Sequence, residues 1–202
     1  MTPDALLALV RARRSIRRYT AQPVPAEVVE RLLTAAIWAP SAHNRQPWRF
    51  VTVSAAESRQ RLARAMGDRL RADRLADGDP PAAVEADAAR SHARLSGAPV
   101  LVVACLTLGE MDAYPDARRQ NAEYLMAVQS VAMAVQNLLL AAEAEGLGAC
   151  WMCAPLFCSE AVLGALDLPA EWQAQALVTL GYPDSAGKPA RRKALADVAL
   201  RR

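Results

Sequence analysis

The chain has 202 residues, 53% hydrophobic and 22% charged, with a net charge of +3. That composition is globular and excludes a disordered or low-complexity polymer, so residues 1–202 read as one domain with a buried core. The small positive excess is weak for a nucleic-acid binder, and four cysteines in a chain this long do not make a disulfide framework.

The spacing predicts a short helix over 4–13, running into the cluster Arg13-Arg14-Ser15-Ile16-Arg17-Arg18-Tyr19. Pro25 suits a helix first turn, and Val28, Val29, Leu32, Leu33, Ala36 and Ile37 continue a helical period that Pro40 stops. A polar loop, Pro40-Ser41-Ala42-His43-Asn44-Arg45-Gln46-Pro47, leads into a β-branched and aromatic strand over 48–53. An arginine-rich helix over 55–75 follows, then the turn Asp77-Gly78-Asp79-Pro80-Pro81 and a second polar helix over 83–95. The apolar run 99–105 reads as a strand buried on both faces.

The longest helix is expected over 121–145. Its polar residues recur in two columns, Glu123, Ser130 and Asn137 beside Gln129, Gln136 and Glu143, leaving the rest apolar. Such a helix belongs in the core or a subunit interface. Gln129, Ser130, Gln136 and Asn137 interrupt its apolar run, so no membrane span is expected. The first 14 residues lack the apolar stretch of a signal peptide, and the chain reads as cytoplasmic. Gly146 supplies a left-handed helix end, 149–153 is short and extended, Ser159 can cap a helix through 166, and 174–182 is a last strand before a basic tail. Strands separated by helices of unequal length indicate α/β or α+β.

Four arginines around one serine suit a phosphate monoester, which takes bidentate guanidinium donors and an O–H. The 40–48 loop carries groups that hydrogen-bond and stack against a flat heteroaromatic ring. Cys150-Trp151-Met152-Cys153 is a C-x-x-C, but it follows a helix where a thioredoxin-like pair would precede one, and zinc lacks further ligands. His43 and His92 match no metal motif, Gly146-Leu147-Gly148 lacks the context of a dinucleotide fingerprint, and no acid/base carboxylate pair is evident. No catalytic side chain or metal is therefore expected, and a cofactor would carry the hard step.

Taken together, Arg13-Arg14-Ser15-Ile16-Arg17, Pro40-Ser41…Asn44-x-Gln46-Pro47-Trp48, Gly146-Leu147-Gly148…Trp151-Met152 and Gly181-Tyr182-Pro183 resemble the nitroreductase family from end to end. The stretches 146–157, 167–169 and 176–183 look closest to the flavin mononucleotide (FMN)-binding C-terminal domain of the bifunctional coenzyme F420 biosynthesis protein, whose other domain is a glutamate ligase. The resemblance implies an α+β fold: a central, mostly antiparallel sheet flanked by helices, in an intertwined homodimer with FMN at the interface.

By that resemblance Arg13, Arg14, Ser15 and Arg17 contact the FMN phosphate, ribityl chain and pyrimidine edge. Ser41, Asn44 and Gln46 reach the flavin from the other subunit. Trp151, Met152 and Cys153 line the isoalloxazine near N5, and Arg191 and Arg192 reach the phosphate, with Lys193 allowing a register one residue later. Many relatives carry Glu-Gly where this chain has Cys153-Ala154, so the N5 contact would fall to a backbone N–H.

The region 59–94 matches no motif, although it shapes the substrate pocket in the family. Arg71 and Arg74, three apart on one helix face, are the candidates there for an anionic acceptor. The implied activity is ping-pong hydride transfer from NAD(P)H or another donor to a small-molecule acceptor, with a dehydro-F420 precursor as the acceptor in the F420 branch. A broad NAD(P)H nitro- or quinone reductase and a non-catalytic flavin-binding module are the alternatives.

Overall fold

The computed structural model describes residues 2–202. Its elements in chain order are α1 (Pro3–Ala12), α2 (Ala26–Ile37), β1 (Trp48–Val53), α3 (Ala56–Ala76), α4 (Pro81–Ser96), β2 (Val100–Leu106), α5 (Ala117–Ala144), β3 (Gly148–Met152), α6 (Ser159–Ala165) and β4 (Gln173–Gly181). The four strands form one antiparallel sheet in the order β1-β2-β4-β3.

β2 lies inside the sheet, and every one of its residues is buried. Side chains alternate across a strand, so β2 feeds two cores. Val100, Val102, Ala104 and Leu106 face α2 and α5, while Leu101, Val103 and Cys105 face α3 and α6. The sheet is thus sandwiched between a long-helix layer and an arginine-rich layer. Burial without a charge partner pushes the Cys105 thiol up to about 12, so it behaves as a small apolar filler.

α5 is long and apolar enough to cross a bilayer by length and composition alone, but its inner face is core. It starts at Ala117, four residues before the expected position, because the Asp116 side chain caps it by accepting from Arg119 N at 2.9 Å. It ends on Gly146, at φ 73°, with Leu147 N–H donating back to Ala142 O at 2.8 Å.

The polar columns do not both face water. Ser130 accepts from Ala42 N at 3.3 Å and donates to Met126 O, and Asn137 donates to Ala35 O at 3.2 Å. That column fastens α2 and the loop after it. On the opposite face Leu125 and Met133 are exposed beside Gln129 and Gln136.

Ser159 also differs from expectation. It does not cap α6; its hydroxyl accepts from Ala174 N at 2.8 Å and ties α6 to the start of β4.

Candidate functional site

Residues 13–20 run beyond β3 as an added edge. Ile16 N donates to Ala149 O at 3.0 Å, Thr20 N donates to Tyr182 O at 2.9 Å, and Asp184 N donates to Arg18 O at 3.2 Å. Two side chains pin this segment. Ile16 is buried directly against Gly148, where any Cβ would come within 2.7 Å of its Cγ2. The Tyr19 hydroxyl lies 2.6 Å from Ile16 O and 2.7 Å from Thr179 Oγ1, and burial raises its pKa so that it stays a neutral hydrogen-bonding group.

So held, the segment forms one wall of a cavity of about 340 Å³. Arg13, Arg14, Ser15, Arg17 and Arg18 line it, and the C-terminal tail closes it with Ser185, Gly187, Lys188 and Arg192. No carboxylate lines it, and neither Arg13 nor Arg17 has an ion-pair partner among the described residues. Six cationic side chains that repel one another without an internal counter-ion suit an anion.

Within this wall the arginines differ. Arg14 Nη1 turns back to the carbonyls of Ala12 and Arg13, at 2.8 and 2.9 Å, and satisfies the C-terminus of α1. Arg17 makes only a long contact of 3.4 Å to Ser15 O. Arg192 lines the cavity and Arg191 does not. Ser185 and Lys188 were missed in the sequence; the basic tail was visible, but nothing local shows that it folds back across residues 13–18.

Ser41, Asn44 and Gln46 do not line this cavity. They sit in a turn packed on the middle of α5, where Ser41 Oγ accepts from Gln46 N at 3.0 Å. His43, Asn44 and Gln46 have φ of 50°, 55° and 49°. Three left-handed non-glycine residues in four positions are a concentration of backbone strain of the kind found at ligand sites. Arg45 holds the loop from outside through Asp112, at 2.5 Å.

Past Ala149 the outer edge of β3 has no strand partner among the described residues. Alternation sends Trp151 toward the α2/α5 core and Met152 toward the α3/α6 core, so a planar ring at this edge meets backbone and the strand's end. Cys153 follows, exposed, and its Sγ accepts from Trp151 Nε1 at 3.0 Å. Its own N–H donates to no protein acceptor among the described residues.

Cys150 is buried on the other side, and its thiol is raised by burial, opposed by the guanidinium groups of Arg17, Arg94 and Arg13. The two cysteines of the C-x-x-C therefore lie in different environments, which suits a strand edge better than a redox pair. No group of His, Cys, Asp and Glu side chains converges to hold a metal among the described residues.

Arg71 and Arg74 are paired within the protein. Arg71 is held by Glu85 at 2.8 Å and Asp68 at 3.0 Å, and Arg74 by Asp79 at 2.5 Å and by Asp87. Their donors face carboxylates that join α3 to α4 and its preceding turn; neither lines the cationic cavity, and Arg74 borders a second cavity of about 270 Å³ with Met66, Ala154, Phe157 and Cys158.

The nitroreductase family pattern matches residues 10–182. The chain belongs to the nitroreductase family. It is 36% identical over 191 residues to the 5,6-dimethylbenzimidazole synthase of Rhodospirillum rubrum, covering 89% of this chain and 82% of that protein. A Thermus thermophilus NADH dehydrogenase is 32% identical over 221 residues, covering 98% and 95%. A nitroreductase from Desulfovibrio desulfuricans, solved in complex with FMN, matches with a TM-score of 0.76 and 31% identity over 100% of this chain and 98% of its own. The family placement makes this chain a nitroreductase-type oxidoreductase with the α+β fold described. None of these three is named for F420 biosynthesis, so the narrower branch resemblance is not carried.

Proposed function

We propose that this chain is a cytoplasmic, homodimeric, FMN-dependent oxidoreductase, taking electrons from NAD(P)H and passing them to a small-molecule acceptor in a ping-pong cycle. The observation that carries the reading is the cationic cavity, where Ser15, Arg13 and Arg17 meet Lys188 and Arg192 with no lining carboxylate. Its donor set fits a phosphate monoester. Bound FMN would supply reversible hydride acceptance and donation at its ring.

In this reading Arg13, Arg17, Lys188 and Arg192 hold the phosphate, while Ser15 and Arg14 border it. The free edge of β3 from Cys150 to Cys153 orients the ring, and the Cys153 N–H stands as the donor toward N5. Ser41, Asn44 and Gln46 lie outside the cavity of their own chain, which supports a second copy supplying them. Exposed Leu6, Leu7 and Val10 on α1, Leu125 and Met133 on α5, and Trp38 support that dimer, because no residue of α1 is fully buried against its own chain.

Titration with FMN and with riboflavin tests the reading. Charge-assisted bonds to phosphate are worth about 1.5–3 kcal/mol each, so FMN should bind at least about a hundredfold more tightly. Equal affinity for both, or none for FMN, would refute it.

A second reading is favoured by the 36% identity to a 5,6-dimethylbenzimidazole synthase, namely that this chain makes the same product. Product analysis after incubating the FMN-loaded protein with NADH and oxygen decides it, and a quinone, a nitroaromatic and a dehydro-F420 precursor complete the acceptor panel.

A further inference from the structure

The second cavity, of about 270 Å³, lies between α3, α4 and the turn that follows β3, and it shares no lining residue with the cationic one. Met66 and Leu70 come from one face of α3, Ser91 from α4, and Ala154, Phe157 and Cys158 from the turn. That turn is closely bonded. Leu156 N–H donates to Cys153 O at 3.0 Å, Cys158 N–H to Pro155 O at 3.1 Å, and Cys158 Sγ to Ala154 O at 3.3 Å. It leaves Phe157 76% exposed at the cavity. The lining begins at Ala154, one residue beyond Cys153, whose N–H has no protein acceptor among the described residues.

The charges around this cavity cancel. Arg69 and Arg74 line it together with Asp73 and Asp77. Arg69 is paired with Asp73 at 2.7 Å, and Arg74 with Asp79 at 2.5 Å and with Asp87. Burial raises the Cys158 thiol, so that group stays neutral. An anion here would meet only guanidinium groups that already carry a carboxylate, the reverse of the cationic cavity, whose lining holds none. What remains open is apolar. A dry cavity of roughly 150 Å³ holds benzene, so one of about 270 Å³ admits two fused rings.

We propose that this cavity seats the acceptor, and that it selects a neutral, flat, two-ring molecule over an anion. The inference rests on the FMN reading above and deepens it: the cationic cavity fixes the cofactor, and the charge-balanced one beside Cys153 chooses what meets it. Phe157 offers an aromatic face for stacking, and the flexible thioether of Met66 fits the far side of a ring. Arg74 then acts from the border, holding α3 to α4 through Asp87, and does not bind the acceptor's charge.

The test uses FMN-loaded wild type, Phe157→Ala and Ser91→Leu. Calorimetric titration with 2-naphthol and with naphthalene-2-sulfonate reads binding without turnover. The wild type should bind 2-naphthol at least about tenfold more tightly than the sulfonate, because burying an unpaired charge is costly. Phe157→Ala should weaken 2-naphthol about two- to tenfold, the range of one aromatic contact. Ser91→Leu, which fills the cavity from α4, should weaken it about tenfold or more. The FMN affinity should not move. With NADH saturating, KM for 1,4-naphthoquinone should rise in the same order, and the preference for it over its 2-sulfonate should disappear in Ser91→Leu.

Equal affinity of the wild type for the two naphthalene compounds overturns the selection, and 2-naphthol binding that neither variant weakens overturns the cavity. Weaker 2-naphthol binding with an unchanged quinone KM overturns the acceptor role. Loss of FMN affinity in either variant also overturns it, by assigning the cavity to the cofactor. Phe157 is exposed, so Phe157→Ala carries the test if Ser91→Leu does not fold. A wild-type chain that binds no FMN overturns the FMN reading along with this one, whereas an FMN-loaded chain that ignores 2-naphthol overturns this one alone.

Discussion

Gly148→Ala tests whether the anion cavity depends on how closely residues 13–17 approach β3. The new Cβ would sit 2.7 Å from Ile16 Cγ2, 2.8 Å from Ile16 Cβ and 3.1 Å from Ile16 Cγ1. Carbon atoms rest at about 3.5–4.0 Å, so Ile16 must retreat by roughly 0.8–1.3 Å. A rotamer change cannot absorb this, because Ile16 Cβ itself is in the way and a β-branched side chain is stiff at χ1. The backbone must move, and Ser15 and Arg17 move with it.

Overpacking of this kind costs about 1–3 kcal/mol, which for a chain of this size lowers Tm by roughly 2–12 °C. The displaced donors should weaken FMN binding about tenfold, measured by quenching of flavin fluorescence. Gly164→Ala is the control: nothing lies within 4 Å of a Cβ there, in α6. It should gain roughly 0.5–1 kcal/mol from better helix propensity and leave FMN untouched. Wild-type Tm and FMN affinity in Gly148→Ala would refute the argument that Gly148 sets the cavity wall.

Arg13→Ala and Arg17→Ala should each weaken FMN binding about tenfold or more, whereas Arg14→Ala should lower Tm with a smaller effect on FMN, because its guanidinium serves α1. Equilibrium titration and thermal melts separate these outcomes. Cys150→Ser and Cys153→Ser should retain FMN and most turnover, and Cys153 should react with a maleimide far faster than Cys150, whose thiol is buried and held protonated; mass spectrometry of the labelled protein reads the order. Arg71→Ala/Arg74→Ala should lower Tm and leave KM for an anionic acceptor unchanged, since both side chains tie α3 to α4; a selective rise in that KM would restore them to the substrate site.

Much of the fold was legible because local signals agreed with tertiary demands. The strand over 48–53 was read from its aromatic and β-branched run, and 99–105 from an unbroken apolar run that only a doubly covered strand explains. The arginine-serine cluster could be read as one group for the same reason: Arg13, Ser15 and Arg17 lie within five residues of one another, and they line one cavity. The inward column of α5 was not legible. Periodicity says which residues share a face, but Ser130 and Asn137 can be buried only because Ala42 N–H and Ala35 C=O, about 90 to 100 residues earlier, complete their hydrogen bonds.

Arg71 and Arg74 illustrate the harder limit. In sequence they share a helix face, and the carboxylates at helical spacing, Asp68 before Arg71 and Asp77 after Arg74, do not reveal the stronger claims made on them from outside α3. The carboxylates that claim them are 14 and 13 residues onward on α4, which folds back along α3 after the turn at Gly78. Exposed pairs of this kind add little stability individually. Their consequence is allocation. Which charges a helix face leaves open to a ligand is therefore decided by the fold that brings α4 back along α3, and not by spacing along the sequence.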